Sequence, residues 1–175
     1  MYTFESDRLG FRRWKEGDKA PFAHMNSKAS VMKYFPNIPS PDQSAAMVDR
    51  IEGHFETHGY GLWAVELKET GDFIGFIGFQ MASFDAPFTP CIEIGWRLDD
   101  VYWSRGYATE GAKACLIYAK GVLGLKDICS FTSVINTPSI AVMEKIGMHK
   151  DLVFDHPKLS QSDPLCPHVL YRIHL

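Results

Sequence analysis

A short turn between a strand-like run and a helix-like run carries the strongest chemical signal in the sequence. The strand-like run covers residues 91–98, the helix-like run covers 106–123, and the turn spans Trp103 to Glu110. A glycine-containing turn that opens a helix directs several backbone N–H groups to one point, where the helix dipole adds about half a positive charge. Gly106 keeps that backbone uncovered and Arg105 adds a full charge. The turn therefore predicts a site for a pyrophosphate, with an ordinary strand-to-helix connection as the alternative.

A carboxylate within the preceding apolar strand is the second candidate. Glu93 stands between apolar neighbours in the run Cys-Ile-Glu-Ile that begins at Cys91. Partial burial would raise its pKa and make it a better proton acceptor near neutral pH. The alternative is a residue on the solvent face of an alternating strand, since Glu93 lies two residues from both Cys91 and Gly95.

The patterns around these residues predict strands and helices in a fixed order. A strand over 3–14, a helix from about Asp18, and a helix capped by Ser40 or Asp42 and ending at Gly59 come first. Antiparallel strands over 62–67, 73–80 and 91–98 follow, the first two joined as a hairpin. We therefore expect the first half of the chain to form a meander.

The second half changes to a strand–helix–strand pattern. A small or apolar stripe at positions 108, 111, 112, 115, 119 and 122 predicts a helix packed on the sheet. A strand over 127–134 would then lie parallel to 91–98, and Asn136 or Thr137 would cap another helix. With strands over 150–154 and 169–174 the prediction is one α/β (α+β) domain over 1–175, with a mixed, mostly antiparallel, seven-stranded sheet and helices on both faces.

Composition excludes several classes of function. The formal charge is −3 and there is no run of Lys or Arg, so we expect no nucleic-acid partner and no membrane-surface partner. No apolar window approaches the roughly 18 residues of a membrane span, and the N-terminus lacks a signal layout, which predicts a cytoplasmic protein. The cysteines are widely spaced, and His54 and His58 lack the H-E-x-x-H order and are expected on a solvated helix face, so no metal is predicted.

Four ordered segments resemble the GNAT family of acetyl-CoA-dependent N-acetyltransferases. The resemblance is strongest to its Rim-type branch, whose known members acetylate protein N-termini. The segments are SDRLGFRRWKEGD, GYGLWAVELKETGDFIGFIGF, IEIGWRLDDVYWSRGYATEGAKA and NTPSIAVMEKIGM. The family's pyrophosphate loop begins with Arg or Gln, and Trp103 stands there in this sequence, which leaves Arg105 as the loop's only cation.

The resemblance implies a cofactor site. The two parallel central strands, 91–98 and 127–134, would splay into a V-shaped split, and the pantetheine arm would bind there like an added strand. Backbone groups of Trp96, Arg97 and Leu98 would bind the pantetheine, and Asn136 would bond it from the opposite side. The residues implied to cover the pyrophosphate are Arg105, Gly106, Tyr107, Ala108 and Thr109, and Trp103 and Ser104 are also expected in the cofactor site.

The resemblance also implies a direct attack of a neutral amine on acetyl-CoA, without an acyl-enzyme. Glu93 would accept the amine proton, a strand N–H near Trp96 or Arg97 would stabilise the oxyanion, and Ser139 would return a proton to the CoA thiolate. Many family members place a tyrosine acid where this sequence has Met143, and water could supply that proton instead. Helix capping alone is an alternative reason for Asn136 and Ser139.

The acceptor follows from proton affinity. A protein α-amine has a pKa of about 7.7–8.0, whereas a lysine or polyamine amine near 10.4 gives up its proton less readily. A site with one carboxylate favours the α-amine of a protein or peptide, and the Rim-type resemblance agrees. A small-molecule acceptor (amino acid, polyamine or aminoglycoside) and a non-catalytic acyl-CoA-binding module remain alternatives, and the sequence is compatible with a monomer or a homodimer.

Overall fold

A single mixed sheet runs through the molecule, with helices on both faces. The computed structural model describes residues 1–175, and the strand order is β1-β2-β3-β4-β5-β6-β8-β7. Every neighbouring pair is antiparallel except β5 and β6, which are parallel. The strands are β1 (Phe4–Glu5), β2 (Leu9–Arg12), β3 (Leu62–Leu67), β4 (Phe73–Ala82), β5 (Cys91–Leu98), β6 (Asp127–Ser133), β7 (His149–Asp155) and β8 (Pro167–His174).

The sheet has eight strands, so the prediction of seven was wrong by one. The predicted first strand over 3–14 folds back on itself as β1 and β2, which pair antiparallel. The turn between them is closed by Ser6, whose N–H donates to the carbonyl of Leu9 at 2.9 Å. Its hydroxyl also accepts from the N–H of Leu9 at 3.2 Å. A serine that satisfies the backbone locally in this way competes with a continuous strand.

Four α-helices cover the sheet. They are α1 (Lys19–Asn26), α2 (Pro41–His58), α3 (Tyr107–Tyr118) and α4 (Thr137–Lys145), and α3 continues as a π-helical turn over Ala119–Leu123. Ser40 caps α2 in a reciprocal capping box with Gln43, and Gly59 ends it at φ 75° in the left-handed region that glycine favours. Asn136 caps α4. None of these helices combines the length and the apolar content needed to cross a membrane.

The two faces of the sheet carry different helices. A Cβ at Gly111 of α3 would overlap the Ile77 side chain, so glycine lets this helix lie close to β4. Ile77 pairs with Trp96 across β4 and β5, and paired residues share a face. On the other face Asn26 of α1 accepts a hydrogen bond from Arg97 at 2.9 Å. The side chains of β5 therefore alternate between α3 and α1.

Candidate active site

The two parallel strands separate after their first contacts. β5 and β6 pair only at Ile92 with Ile128 and at Glu93 with Cys129. Beyond these pairs β5 continues to Leu98 and β6 to Ser133, with β4 and β8 on their outer sides. A split therefore opens between the C-terminal halves of the two strands, as the resemblance implied.

Backbone alternation decides which residues of β5 face this split. The N–H of Asp99 donates to the carbonyl of Ile74 at 2.9 Å, which places its backbone groups toward β4. Alternate residues of an antiparallel strand direct their N–H and C=O groups to opposite sides, so Arg97 also faces β4 while Trp96 and Leu98 face the split. The prediction that grouped the Arg97 backbone with those of Trp96 and Leu98 therefore does not fit this geometry.

The turn after β5 presents a run of free N–H groups. The first α3 amide that donates to a backbone carbonyl is that of Glu110, which bonds Gly106 at 3.0 Å. The preceding amides, from Ser104 to Thr109, donate to no acceptor in the protein. Positive φ angles of 60° at Ser104 and 81° at Gly106 curl the chain around this point. Several convergent donors at a helix N-terminus fit the pyrophosphate of CoA.

Lys28 braces the start of this turn from α1's side of the sheet. Its ammonium lies 2.5 Å from Asp99 and 2.9 Å from Asp100, at the start of the short 3-10 turn that leads to the free amides. The indole N–H of Trp103 donates to the carbonyl of Leu98 at 2.8 Å. The position at which the family has Arg or Gln thus fixes the turn to the end of β5 in this chain.

Arg8 is a second cation at the turn, which the sequence analysis missed. Its guanidinium lies 4.4 Å from the ring centre of Tyr107, and Nη2 is 3.6 Å from the point where a Cβ on Gly106 would stand. The same guanidinium donates to Oε2 of Glu110 from both Nε, at 2.7 Å, and Nη2, at 2.6 Å. The backbone N–H of Arg8 donates to the other oxygen, Oε1, at 2.9 Å. Arg8 and Glu110 are 102 residues apart, so no local sequence pattern predicts this ion pair.

Glu93 is buried beside the closed end of the split. Its side chain is on the face opposite α3, and Nε2 of Gln80 donates to its Oε2 at 2.8 Å. Burial raises the pKa of Glu93 to about 8, and the hydrogen bond from Gln80 opposes this shift. Burial excludes the solvent-face alternative, and a pKa near the operating pH suits a general base.

Asn136 and Ser139 occupy the start of α4 across the split. The amide oxygen of Asn136 accepts from the Ser139 N–H at 3.4 Å, and its Nδ2 donates to Thr132 at 2.8 Å. Both ends of the Asn136 amide are thus engaged in ordering the end of β6 and the first turn of α4. Met143, at the position of the family's tyrosine acid, is 1% exposed and belongs to the core.

His54 is not on a solvated helix face, contrary to expectation. Its Nδ1 lies 2.8 Å from the Tyr60 carbonyl, and its Nε2 accepts from the N–H of Met81 at 3.1 Å. This pairing fixes the Nδ1–H tautomer, because only a protonated Nδ1 can donate to a carbonyl. A cavity of about 280 Å³ opens between α2 and the β3–β4 hairpin, with Met47, Arg50, His54 and Gln80 in its lining.

A sheet split between parallel strands, followed by an anion-binding turn, defines a class of acyl-CoA-using transferases, and comparison with known proteins agrees. The family model of the acetyltransferase (GNAT) domain matches residues 8–149. YkkB of Bacillus subtilis (strain 168) is 30% identical over 145 residues, which are 82% of this chain and 83% of YkkB. YnaD of the same organism, described as an N-acetyltransferase, is 30% identical over 148 residues, or 84% of this chain and 82% of YnaD.

Solved structures agree with the family. The GNAT-family acetyltransferase from Bacillus anthracis is 27% identical, with a TM-score of 0.79 over 97% of this chain and 96% of its own. The same fold is found in RimL, the ribosomal L7/L12 α-N-protein acetyltransferase solved with CoA, at 15% identity, TM-score 0.79, and 97% and 96% coverage. Spermidine N-acetyltransferase from Vibrio cholerae, solved with CoA and spermine, shares it at 16% identity, TM-score 0.74 and 95% coverage of each chain. The chain belongs to the GNAT family of acetyltransferases.

Proposed function

We propose that the protein transfers the acetyl group of acetyl-CoA to the N-terminal α-amine of a protein or peptide, as Rim-type enzymes do. The observation that carries the acceptor assignment is the buried carboxylate of Glu93, bonded by Gln80 at 2.8 Å, whose pKa burial raises to about 8. An α-amine has a pKa of about 7.7–8.0, so proton transfer from its ammonium form to Glu93 is nearly balanced. The same transfer from a polyamine or lysine ammonium, with a pKa of about 10.4, is uphill by more than two pKa units.

The geometry supports a direct attack in a ternary complex. The free amides from Ser104 to Thr109 hold the pyrophosphate, and the backbone groups of Trp96 and Leu98 bind the pantetheine in the split. The Trp96 N–H is then the donor for charge that develops on the thioester oxygen, which is the role of an oxyanion hole.

Proton transfer completes the reaction. Glu93 accepts the proton of the attacking amine, the tetrahedral adduct breaks its C–S bond, and the thiolate takes a proton. We assign that last donation to Ser139, which stands half-buried in the first turn of α4 on the far side of the split. Ser139→Ala tests the assignment: it lowers kcat while leaving the affinity for acetyl-CoA unchanged.

A small-molecule amine is the second candidate acceptor. The cavity of about 280 Å³ beside Gln80 favours it, because its lining includes the residue that bonds Glu93. A cavity of this size suits a compact ligand.

The test is release of CoA thiol from acetyl-CoA with a panel of short peptides, free amino acids, polyamines and aminoglycosides. Peptides are the expected acceptors, and Glu93→Gln lowers kcat about 10²- to 10⁴-fold without weakening acetyl-CoA binding. Glu69→Gln, which removes the same charge from the exposed β3–β4 turn, is the matched control. Turnover confined to polyamines would overturn the peptide assignment, and acetyl-CoA binding without turnover would identify a non-catalytic module.

A further inference from the structure

Arg97 is a charged side chain with no counterion. Its Nη1 donates to the amide oxygen of Asn26 at 2.9 Å, and its Nε is buried without a hydrogen-bond partner. The guanidinium lies 4.2 Å from the ring centre of Phe35 and 5.4 Å from that of Phe76. No carboxylate of the protein lies within ion-pair distance of it, and burial lowers the pKa of Arg97 to about 10. The group is thus charged at neutral pH and uncompensated.

Arg12, which is fully buried whereas Arg97 is half-buried, shows how this fold accommodates a cation that serves only structure. Arg12 is 4% exposed and bonds Asp18 and Glu66, with Nη1 2.6 Å from Asp18 and Nε 2.6 Å from Glu66. A buried charge ordinarily needs such partners, because desolvation is otherwise left unopposed. The contrast indicates that the partner of Arg97 comes from outside the chain.

The position of Arg97 points to the acceptor rather than to acetyl-CoA. Trp96 shares the α3 face with Ile77, so Arg97 projects from the opposite face, together with Glu93 and Gly95. A Cβ built on Gly95 would meet no atom within 4 Å, so open space lies over the strand between Glu93 and Arg97. The free amides that fit the pyrophosphate stand at the N-terminus of α3, on the far side of the sheet.

The guanidinium is held in one orientation around that space. Asn26 is completely buried and its Nδ2 donates to Ser44 of α2 at 3.1 Å, so its oxygen is fixed toward Nη1 of Arg97. Nη2 makes no hydrogen bond within the protein either and, unlike Nε, is not enclosed by it. Nη2 therefore offers its N–H groups to a carboxylate in a charge-assisted hydrogen bond.

We propose that Arg97 binds a carboxylate of the acceptor, so that the protein selects peptides with Asp or Glu at the second or third residue. The inference rests on the proposed acetylation of peptide N-termini. The Cα atoms of residues 93 and 97 are about 13 Å apart along an extended strand. An amine bound to Glu93 and a carboxylate bound to Arg97 must both reach inward over Gly95, and they are then closer together than these Cα atoms. An extended peptide advances about 3.5 Å per residue, so a carboxylate on the second or third residue matches that shorter distance. The free carboxylate of an amino acid could bind Arg97 in the same way, although it lies closer to the amine. A polycation such as a polyamine would be repelled by the positive charge of Arg97.

The experiment compares kcat/KM for peptides that are identical except for Asp, Asn or Lys at the second or third residue. The wild-type protein is expected to prefer Asp over Asn about 10- to 100-fold, the range of a hydrogen-bonded charge pair. Arg97→Gln should bring that ratio close to one. Lys113→Gln, which removes one exposed charge from α3 on the other face, should keep the preference.

Two further arms separate this inference from the proposed function. Acetylation of peptides with no preference for Asp over Asn, or with a preference that survives Arg97→Gln, would overturn the role of Arg97 and leave the function standing. If peptides are inert, turnover of free amino acids that depends on Arg97 would retain the carboxylate site and replace the peptide, whereas turnover of polyamines alone would overturn both. The wild-type ratio and the Arg97→Lys variant, expected to keep part of the preference, decide the question even if Arg97→Gln fails to fold.

Discussion

At the scale of single residues, the proposed base Glu93 destabilises the folded protein when its carboxylate is ionised. Glu93 is 8% exposed, and Gln80 is the side chain that hydrogen-bonds it. Its pKa is about 8 in the folded protein, against about 4.3 in an unfolded chain. The folded state therefore holds this proton more tightly than the unfolded state does. The contribution of Glu93 to stability is fully present below about pH 4.3 and is lost as the pH rises through 8.

Glu93→Gln should remove this pH dependence, since the amide has the size of the protonated acid and does not titrate. We expect the variant to be more stable than the wild type at pH 9, with a difference that shrinks toward zero as the pH falls to about 4.5. Urea unfolding at a series of pH values measures it, and Glu69→Gln, on the exposed turn, should show no such trend. A stability difference that stays constant with pH would mean that Glu93 is ionised in the folded protein at neutral pH.

Sequence reasoning reached Glu93, but it missed Arg8 and gave Arg97 only a backbone role, for a physical reason. A carboxylate in an apolar strand is visible from its immediate neighbours. Arg8 acquires its place by folding against Glu110, and Arg97 is distinguished by what does not surround it, namely a carboxylate like those that flank Arg12. The spacing of neighbouring residues in the sequence predicts neither a long-range ion pair nor the absence of one.

At the scale of elements, the start of α3 is the segment on which cofactor binding depends. Arg8 fixes Glu110 in the first turn of α3, and Ser6 also donates to that carboxylate at 2.7 Å. Without the Arg8 side chain the Glu110 carboxylate would have no counterion beside the free amides and would repel a pyrophosphate. The β1–β2 turn thus acts on the cofactor through a helix that begins about a hundred residues later.

Arg8→Gln is therefore expected to weaken acetyl-CoA binding more than Lys113→Gln does. Both variants lose one positive charge, but Lys113 is exposed on α3 and is not the ion-pair partner of Glu110. We expect the dissociation constant of Arg8→Gln to rise about tenfold, an effect of one charge-assisted contact, and that of Lys113→Gln to change less than twofold. Titration calorimetry at one fixed salt concentration gives both values. Equal losses would reduce the role of Arg8 to net charge.

The helical pattern of this segment was predicted well up to its last turn. The stripe that begins at Ala108 holds through Ala119, which is fully buried, but Val122 is 66% exposed. The turn over Ala119–Leu123 is π-helical, and its extra residue rotates Val122 away from the sheet, while Leu123 packs against the core. A period of 3.6 residues cannot anticipate such a change. The β3–β4 hairpin and the cap at Ser40, which depend on local turn chemistry, followed the sequence closely.

At the scale of the whole molecule, the sheet is continuous at one end of the parallel pair and interrupted at the other. Only the pairs at Ile92 and Glu93 join β5 to β6. An acyl-CoA bound in the split would supply the missing partner for backbone groups on β5, much as a strand does. Binding should then stabilise the molecule by an amount that grows with the logarithm of ligand concentration.

Amide hydrogen exchange can detect this closure residue by residue. On binding CoA we expect the amides of Trp96 and Leu98 to gain protection beyond that of Ala64 in β3, which reports the global stabilisation alone. Arg97 should change only as much as Ala64, because its N–H already faces β4. NMR exchange rates with and without CoA give the comparison. Equal gains at residues 96, 97 and 98 would show that the alternation derived from Asp99 does not extend along β5.

The free amides from Ser104 to Thr109 also bear on how this protein can change over generations. Every residue except proline carries the same backbone N–H, so a substitution in the turn can alter the side chain and leave the donor in place. Most amino-acid substitutions in the turn thus leave the anion-binding donors unchanged. What must be kept is the backbone conformation, which Gly106 at φ 81° stabilises. A substitution of a side chain on the opposite face, such as Arg97, removes its binding group altogether. Drift in this lineage would therefore alter the choice of amine long before it abolished the use of CoA.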